Sequence, residues 1–191
     1  MIKKIIAIVG MSGAGKSEVA DFFIQKGFSY IRLGQIALNE LKRLKMPPGE
    51  KSERKIREGL RKKHGMAAFA IINMPKIKKS EGNIVIDGLY SWEEYLYFKE
   101  KLPGIIVLAV YASPGTRYTR LENRAGNHGA DKVMKYRSFS NQEAAARDKA
   151  ELENLHKGGP IAMADFTIVN EGTKKELYEN LNNVWRKINA K

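Results

Sequence analysis

The sequence lacks cysteine altogether and is sparing with proline and histidine, six and three residues respectively in 191. Without cysteine there is no disulfide framework, no thiolate metal site and no thiol nucleophile, and a cytoplasmic location is expected. The three histidines, His64, His128 and His156, show no metal-ligand spacing, and His128 reads as an exposed loop residue. Long apolar runs are missing too. The longest, residues 105–112, falls well short of the ~20 residues a bilayer span requires, so no membrane partner is expected. The short apolar stretch Ile5–Val9 leads into glycines rather than a cleavage site, and reads as a first strand instead of a leader. Acidic charge is outweighed, with 21 Asp+Glu against 34 Lys+Arg and a net charge of +13, which points to an anionic partner, nucleotide or nucleic acid. The 43% hydrophobic and 29% charged fractions exclude a disordered or collagen-like chain, and the length fits one domain spanning 1–191.

Short apolar runs alternate with longer segments of helical spacing, the pattern of βα units around a parallel sheet. The runs are Ile5–Val9, 28–33, Ile84–Asp87, 105–112 and Phe166–Val169, and they read as buried strands because most lack polar alternation. Helices are expected over 16–26, 35–45, 51–63, about 66–72, 141–155 and 174–188, with Ser91 and Ser113 as caps of two more. Two stretches, 47–79 and 125–140, fall outside this rhythm and are expected to be mobile insertions.

The most informative segment is Gly10-Met11-Ser12-Gly13-Ala14-Gly15-Lys16-Ser17, which fits G-x-x-x-x-G-K-[ST] between an apolar strand and an amphipathic helix. Glycine is needed because the chain must wrap closely around phosphate oxygens with its N–H groups pointing inward. The helix that begins there adds its dipole to anion binding. Lys16 would reach the β- and γ-phosphates of ATP, and the Ser17 hydroxyl would ligate Mg²⁺. Asp87 follows Ile84-Val85-Ile86 at the carboxyl end of a strand, where ligands sit in open α/β sheets, and would help hold the metal.

Beyond this loop, several segments in the right chain order resemble the P-loop nucleoside-monophosphate kinases, with adenylate kinase and dephospho-coenzyme A kinase as the nearest kinds. Ile84-Val-Ile-Asp87-Gly88-Leu-Tyr90-Ser resembles the adenylate-kinase strand ending in Asp-Gly-Phe-Pro-Arg. Arg120-Leu-Glu-Asn-Arg124 resembles the entry to a lid, with Arg137 and Arg147 near a second arginine pair. Val169-Asn-Glu-Gly172 is similar to the loop that closes over adenine, and Ala164-Asp165 with Asn170 resembles the last strand of dephospho-coenzyme A kinase. The resemblance implies a three-layer α/β sandwich around a five-stranded parallel sheet of order 2-3-1-4-5. It also implies an acceptor-binding helical insertion over about 34–79 and a short lid over about 120–147. Arg120 would lie over the adenine, while Arg124, Arg137 and Arg147 would close on the phosphates; arginine suits this task because its planar fork bonds phosphate bidentately. The activity implied is Mg²⁺-dependent transfer of the ATP γ-phosphoryl group to a nucleoside monophosphate, AMP first.

The departures from that pattern narrow the acceptor. The segment Arg32-Leu33-Gly34 keeps a glycine but lacks the acceptor arginine that follows in adenylate kinase, and Ser91 replaces a second arginine. Acceptor phosphate then falls to Arg32 or to the basic helix through Arg54, Arg57 and Arg61, with Gly34, Asp87, Gly88 and Tyr90 nearby. Dephospho-coenzyme A kinase, which phosphorylates a hydroxyl, needs a carboxylate just after the second strand; residues 32–34 supply none. Residues 40–63 carry ten Lys/Arg and four Glu. They form either a solvated face of ion pairs such as Glu53–Arg57, of the kind heat-adapted proteins use, or an RNA-contacting surface of a nucleotide-switched, ribosome-associated ATPase.

Overall fold

The computed structural model describes residues 3–47, 49–123 and 140–190. Its centre is a parallel five-stranded sheet of order β2-β3-β1-β4-β5, as the resemblance implied. The strands are β1 (Ile5–Val9), β2 (Ser29–Arg32), β3 (Ile84–Asp87), β4 (Ile106–Tyr111) and β5 (Phe166–Val169). The described helices are α1 (Lys16–Gln25), α2 (Gln35–Arg43), α3 (Glu50–His64), α4 (Ala68–Lys79), α5 (Trp92–Lys101), α6 (Pro114–Glu122), α7 (Asn141–Leu155), α8 (Gly158–Ala162) and α9 (Lys174–Asn189).

Burial on both faces makes β1 a continuous apolar run, and strand periodicity divides its side chains between two cores. Ile6 and Ile8 join Val19, Phe22 and Phe23 of α1 and Leu177, Leu181 and Ile188 of α9. Ala7 and Val9 join Phe69, Met74 and Ile77 of α4 and Phe98 of α5 on the other side. Three layers result. Among the described residues no helix is long and apolar enough to cross a membrane.

The helices expected over 51–63 and about 66–72 are present as α3 and α4, and the second is longer than expected, running well past Ile72 to Lys79. Pro75 lies inside α4, where a missing N–H and ring crowding normally cost ~3 kcal/mol. Burial of Phe69, Ala70, Met74 and Ile77 outweighs that local penalty, and Asn73 pins the helix by donating to the carbonyls of Phe69 (2.8 Å) and Leu33 (3.3 Å). The short helix α8 was not anticipated because Gly158-Gly159-Pro160 argues locally against a helix. Ser113 stands at the N-cap of α6, but its hydroxyl pairs with that of Thr116 (3.0 Å) rather than capping an amide. Glu171 takes the Ser113 N–H and the Thr116 hydroxyl, drawing both away from the cap geometry. The expected insertion 125–140 lies, apart from Ser140, outside the described residues.

Ser91 caps α5 as expected, accepting from the Glu94 amide at 3.1 Å, while Glu94 reaches back to accept the Tyr90 N–H at 2.8 Å. Glu94 is fully buried, and burial pushes its carboxyl up to about 7 despite the Tyr90 amide and the nearby Arg61. Its folded-state value is thus above its unfolded one, so the native state binds the extra proton and stability falls as pH rises from about 4.5 to 7. Glu94→Gln keeps the acceptor for Tyr90 and removes the charge. We expect it to raise stability above pH 7 by roughly 3 kcal/mol and to change little at pH 4.5, as read by chemical denaturation at the two pH values.

Candidate active site

The glycine loop leaves β1 at Val9 and re-enters helix at Lys16, and three of its glycines have no room for a side chain. A Cβ on Gly10 would overlap the Val110 carbonyl oxygen, one on Gly13 would come within 2.7 Å of the Arg117 carbonyl, and one on Gly15 would strike the Asn170 amide. Gly13 and Gly15 also adopt φ of +83° and +103°, which L side chains avoid. The loop is thus pressed against β4, α6 and the end of β5 at once. Asn170 donates to the Ala14 carbonyl (2.9 Å), and Arg120 donates to the Asn170 carbonyl (2.9 Å). Arg120, expected over an adenine, thus stands at the edge of the glycine loop, bonded to the residue that holds it.

A second arginine, Arg117, was not anticipated. It is buried, donating from Nε to the Ala112 carbonyl (3.0 Å) and from Nη1 to the Ser12 carbonyl (3.0 Å). Its Nη2 forms a 2.5 Å ion pair with Asp148 of α7, which also accepts from Tyr118 (3.1 Å). Its position one helical turn before Arg120 was the only signal in the sequence.

Lys16 folds back to donate to the Met11 carbonyl at 2.9 Å. Burial and the ammonium of Lys157 push it down to about 7, while Asp87 and Glu151 pull the other way. Asp87 pairs in register with Ile8 on one side and Arg32 on the other, which sets it beside the glycine loop. Tyr30 donates to Asp87 Oδ2 at 2.8 Å; burial and that carboxylate push the phenol well above its ordinary range. Ser17 and Asp87 together offer one hydroxyl and a carboxylate whose Oδ1 lies outside the Tyr30 bond. That donor set fits Mg²⁺, which binds through one or two protein oxygens and keeps several waters. Among the described residues there is no cluster of three or more His, Asp or Glu that could hold a metal by itself.

Beyond Asp87 a cleft of about 690 Å³ opens between α2, α3 and α7. Arg32, Gly34, Arg57, Tyr90 and Arg147 all line it, and so does Arg61, stacked 5.0 Å above Phe69. Five of these were singled out as site residues from sequence, and Arg61 was named with the basic helix. Gly34 and Gly88 serve Tyr90, whose hydroxyl lies 2.9 Å from where a Cβ on Gly34 would sit and 3.0 Å from one on Gly88. Gly172 makes room for Glu176, which closes the capping box of α9 with Thr173. Arg124, Arg137 and His128 lie outside the described residues.

Behind the cleft lining lies the largest surprise, Lys157, 1% exposed in the corner between α7 and α8, against the lining residues Glu151 and Tyr90. Its Nζ forms a 2.7 Å ion pair with Glu151, whose other oxygen accepts from Arg147 Nε at 3.0 Å, and it lies 5.2 Å from the Tyr90 ring. Burial alone would raise the Glu151 carboxyl, but Lys157 and Arg147 hold it far below the usual carboxylate range.

A family profile described as AAA domain matches residues 6–154. A UPF0200 protein of Pyrococcus abyssi is 32% identical over 189 residues, covering 96% of each chain. Among solved structures, TT1252 from Thermus thermophilus superposes with a TM-score of 0.62 at 22% identity over 98% of each chain. Shikimate kinase from Bacteroides thetaiotaomicron gives 0.60 at 12% identity over 97% of this chain and 98% of that one. At such identities the two structures speak for the fold alone.

The Arg117–Asp148 pair generates a test. Arg117→Met strands a buried carboxylate and frees the Ser12 carbonyl, so we expect a loss of about 3 kcal/mol in chemical denaturation and weaker binding of an ATP analogue. Adding Asp148→Leu should restore much of the stability but not the affinity, because the loop remains untethered.

Proposed function

The chain belongs to the AAA domain family, within the P-loop nucleoside-monophosphate-kinase-like superfamily, and from that premise we propose that it is an ATP- and Mg²⁺-dependent phosphotransferase acting on a nucleoside monophosphate, AMP first. One observation carries the reading: a cleft of about 690 Å³, of the size that holds a small-molecule ligand, with Arg32, Arg57, Arg61 and Arg147 on its walls and with Arg147 and Glu151 within electrostatic reach of Lys16 of the glycine loop.

The parts divide as follows. The amides of Gly10–Ser17 and the Lys16 ammonium hold the ATP phosphates. Ser17 and Asp87 would hold a magnesium ion, which would supply positive charge against the transferring phosphates. Arg120 borders the adenine side through its bond to the Asn170 carbonyl and Gly172 lies two residues further on. Residues 34–79 act as the acceptor-binding insertion and 120–147 as the lid, whose arginines exclude water and draw the two phosphates together. An acceptor phosphate is already ionised at neutral pH and needs no general base. That agrees with the absence of a carboxylate at Arg32-Leu33-Gly34 and disfavours a hydroxyl acceptor such as dephospho-coenzyme A.

The basic helix α3 belongs to the same reading. Arg57 and Arg61 line the cleft, and Arg54 and Lys62 border it from exposed positions.

Purified protein is expected to form ADP from ATP and AMP in the presence of Mg²⁺, and Lys16→Ala to lower that turnover by roughly 100- to 1,000-fold. A coupled assay across the nucleoside monophosphates checks both. If no acceptor raises turnover above slow ATP hydrolysis while ATP-dependent, salt-sensitive RNA binding is found, the kinase reading fails and the ribosome-associated ATPase takes its place.

A further inference from the structure

Cations and carboxylates gather at the inner end of the cleft: Lys157 and Arg147 share Glu151, and Lys16 lies within electrostatic reach of all three and of Asp87. Arg147 and Glu151 line the cleft itself, so a phosphate oxyanion entering it would meet these groups. Like charges gathered out of water are costly unless a counter-ion joins them. Glu151 reaches both Arg147 and Lys157, with one carboxylate oxygen on each.

The position of Lys157 is itself unusual. Few lysines are buried to 1% exposure, and this one has given up its solvation for one carboxylate and the face of Tyr90. Its amide also donates to the Glu151 carbonyl (3.2 Å) where α7 ends, so backbone and side chain fix it to the same residue. Lys157 is not needed to hold α7 to the sheet through apolar contact. A hydrophobic residue of similar length would fill its place without the desolvation cost.

We propose that Glu151 is the internal counter-ion of a phosphate subsite formed by Lys157 and Arg147 beside Lys16: it holds these cations in place while the cleft is empty and yields them to an arriving phosphate. The phosphotransferase reading supplies only the identity of that phosphate, the group in transfer; the subsite itself is a statement about phosphate binding. Glu151 is then a competitor of the ligand, and Lys157 a cation of the subsite held in reserve by a neighbour on its own helix corner.

The experiment is calorimetric titration of the full chain with inorganic phosphate, without nucleotide or metal, for the wild type, Glu151→Gln and Lys157→Met, each with its melting temperature. Removing the competing charge in Glu151→Gln should tighten phosphate binding at least tenfold, and removing a cation in Lys157→Met should weaken it at least fivefold. A pair that merely braces the fold would lower both melting temperatures and leave the affinities alone, or weaken both; either result overturns the proposal. Should Glu151→Gln not fold, Lys157→Met decides, since unchanged phosphate affinity in it is incompatible with the subsite. Failure of the kinase reading would show separately, as a wild type that binds phosphate and ATP but phosphorylates no monophosphate.

Discussion

The structure depends on how closely the glycine loop is pressed into its surroundings. Gly10 lies against a carbonyl of β4, Gly13 against the backbone of α6 and Gly15 against the side chain of Asn170 after β5. Three separate elements thus meet at one turn of chain, and a single methyl at any of the three positions would push one of them away. The parallel order β2-β3-β1-β4-β5 makes this possible, because it puts the ends of β3 and β4 on either side of β1. The loop's shape is therefore enforced from outside as much as by glycine's own freedom. An anion site made of backbone amides works only if those amides are held in place before the anion arrives.

Charge is the second constraint. A net +13 would be unremarkable spread over a surface, where each pair contributes little. Here part of it is turned inward: Lys157 and Arg117 are almost fully buried, and Arg32, Arg57, Arg61 and Arg147 line the cleft. Burying cations costs stability, and the cost is met by specific carboxylates, Asp148 for Arg117 and Glu151 for Lys157. The exposed pairs Arg43–Glu40 and Arg54–Glu58 show the ordinary alternative, two solvated side chains on one helix face.

What was legible in the sequence follows the range of the forces involved. The strands Ile5–Val9 and Ile84–Asp87 are found to the residue, since burial on both faces leaves an unbroken apolar signal between polar segments, and so is the edge strand Phe166–Val169, although Thr167 and Val169 are exposed there. The glycine loop is legible because its spacing reflects a purely local geometry. The continuation of α4 through Pro75 was not, because a local penalty is overruled by contacts with β2 and α5 that no window of sequence contains. Arg117 and Lys157 were missed for a related reason. Nothing in Pro114-Gly-Thr-Arg117 or Lys157-Gly-Gly-Pro160 separates a buried cation from a solvated one; the difference lies in Asp148 and Glu151, supplied by α7. Of the arginines drawn from resemblance, Arg120 stands at the loop and Arg147 at the cleft, and Arg124 and Arg137 fall outside the described residues.

Helix α7 joins the two halves of the site. Arg147 and Glu151, four residues apart, share the face toward the cleft, while Asp148, about 100° further round, reaches Arg117 beneath the glycine loop. The same rigid element thus anchors the support of the glycine loop and the wall of the cleft. A small roll or slide of α7 would move Asp148 against Arg117 and Ser12 on one side, and Glu151 against Lys157 on the other. Neither ion pair tolerates much displacement, because each is buried and short, so α7 has few positions in which both are satisfied. The shape of the glycine loop and that of the cleft wall are tied together by that restriction.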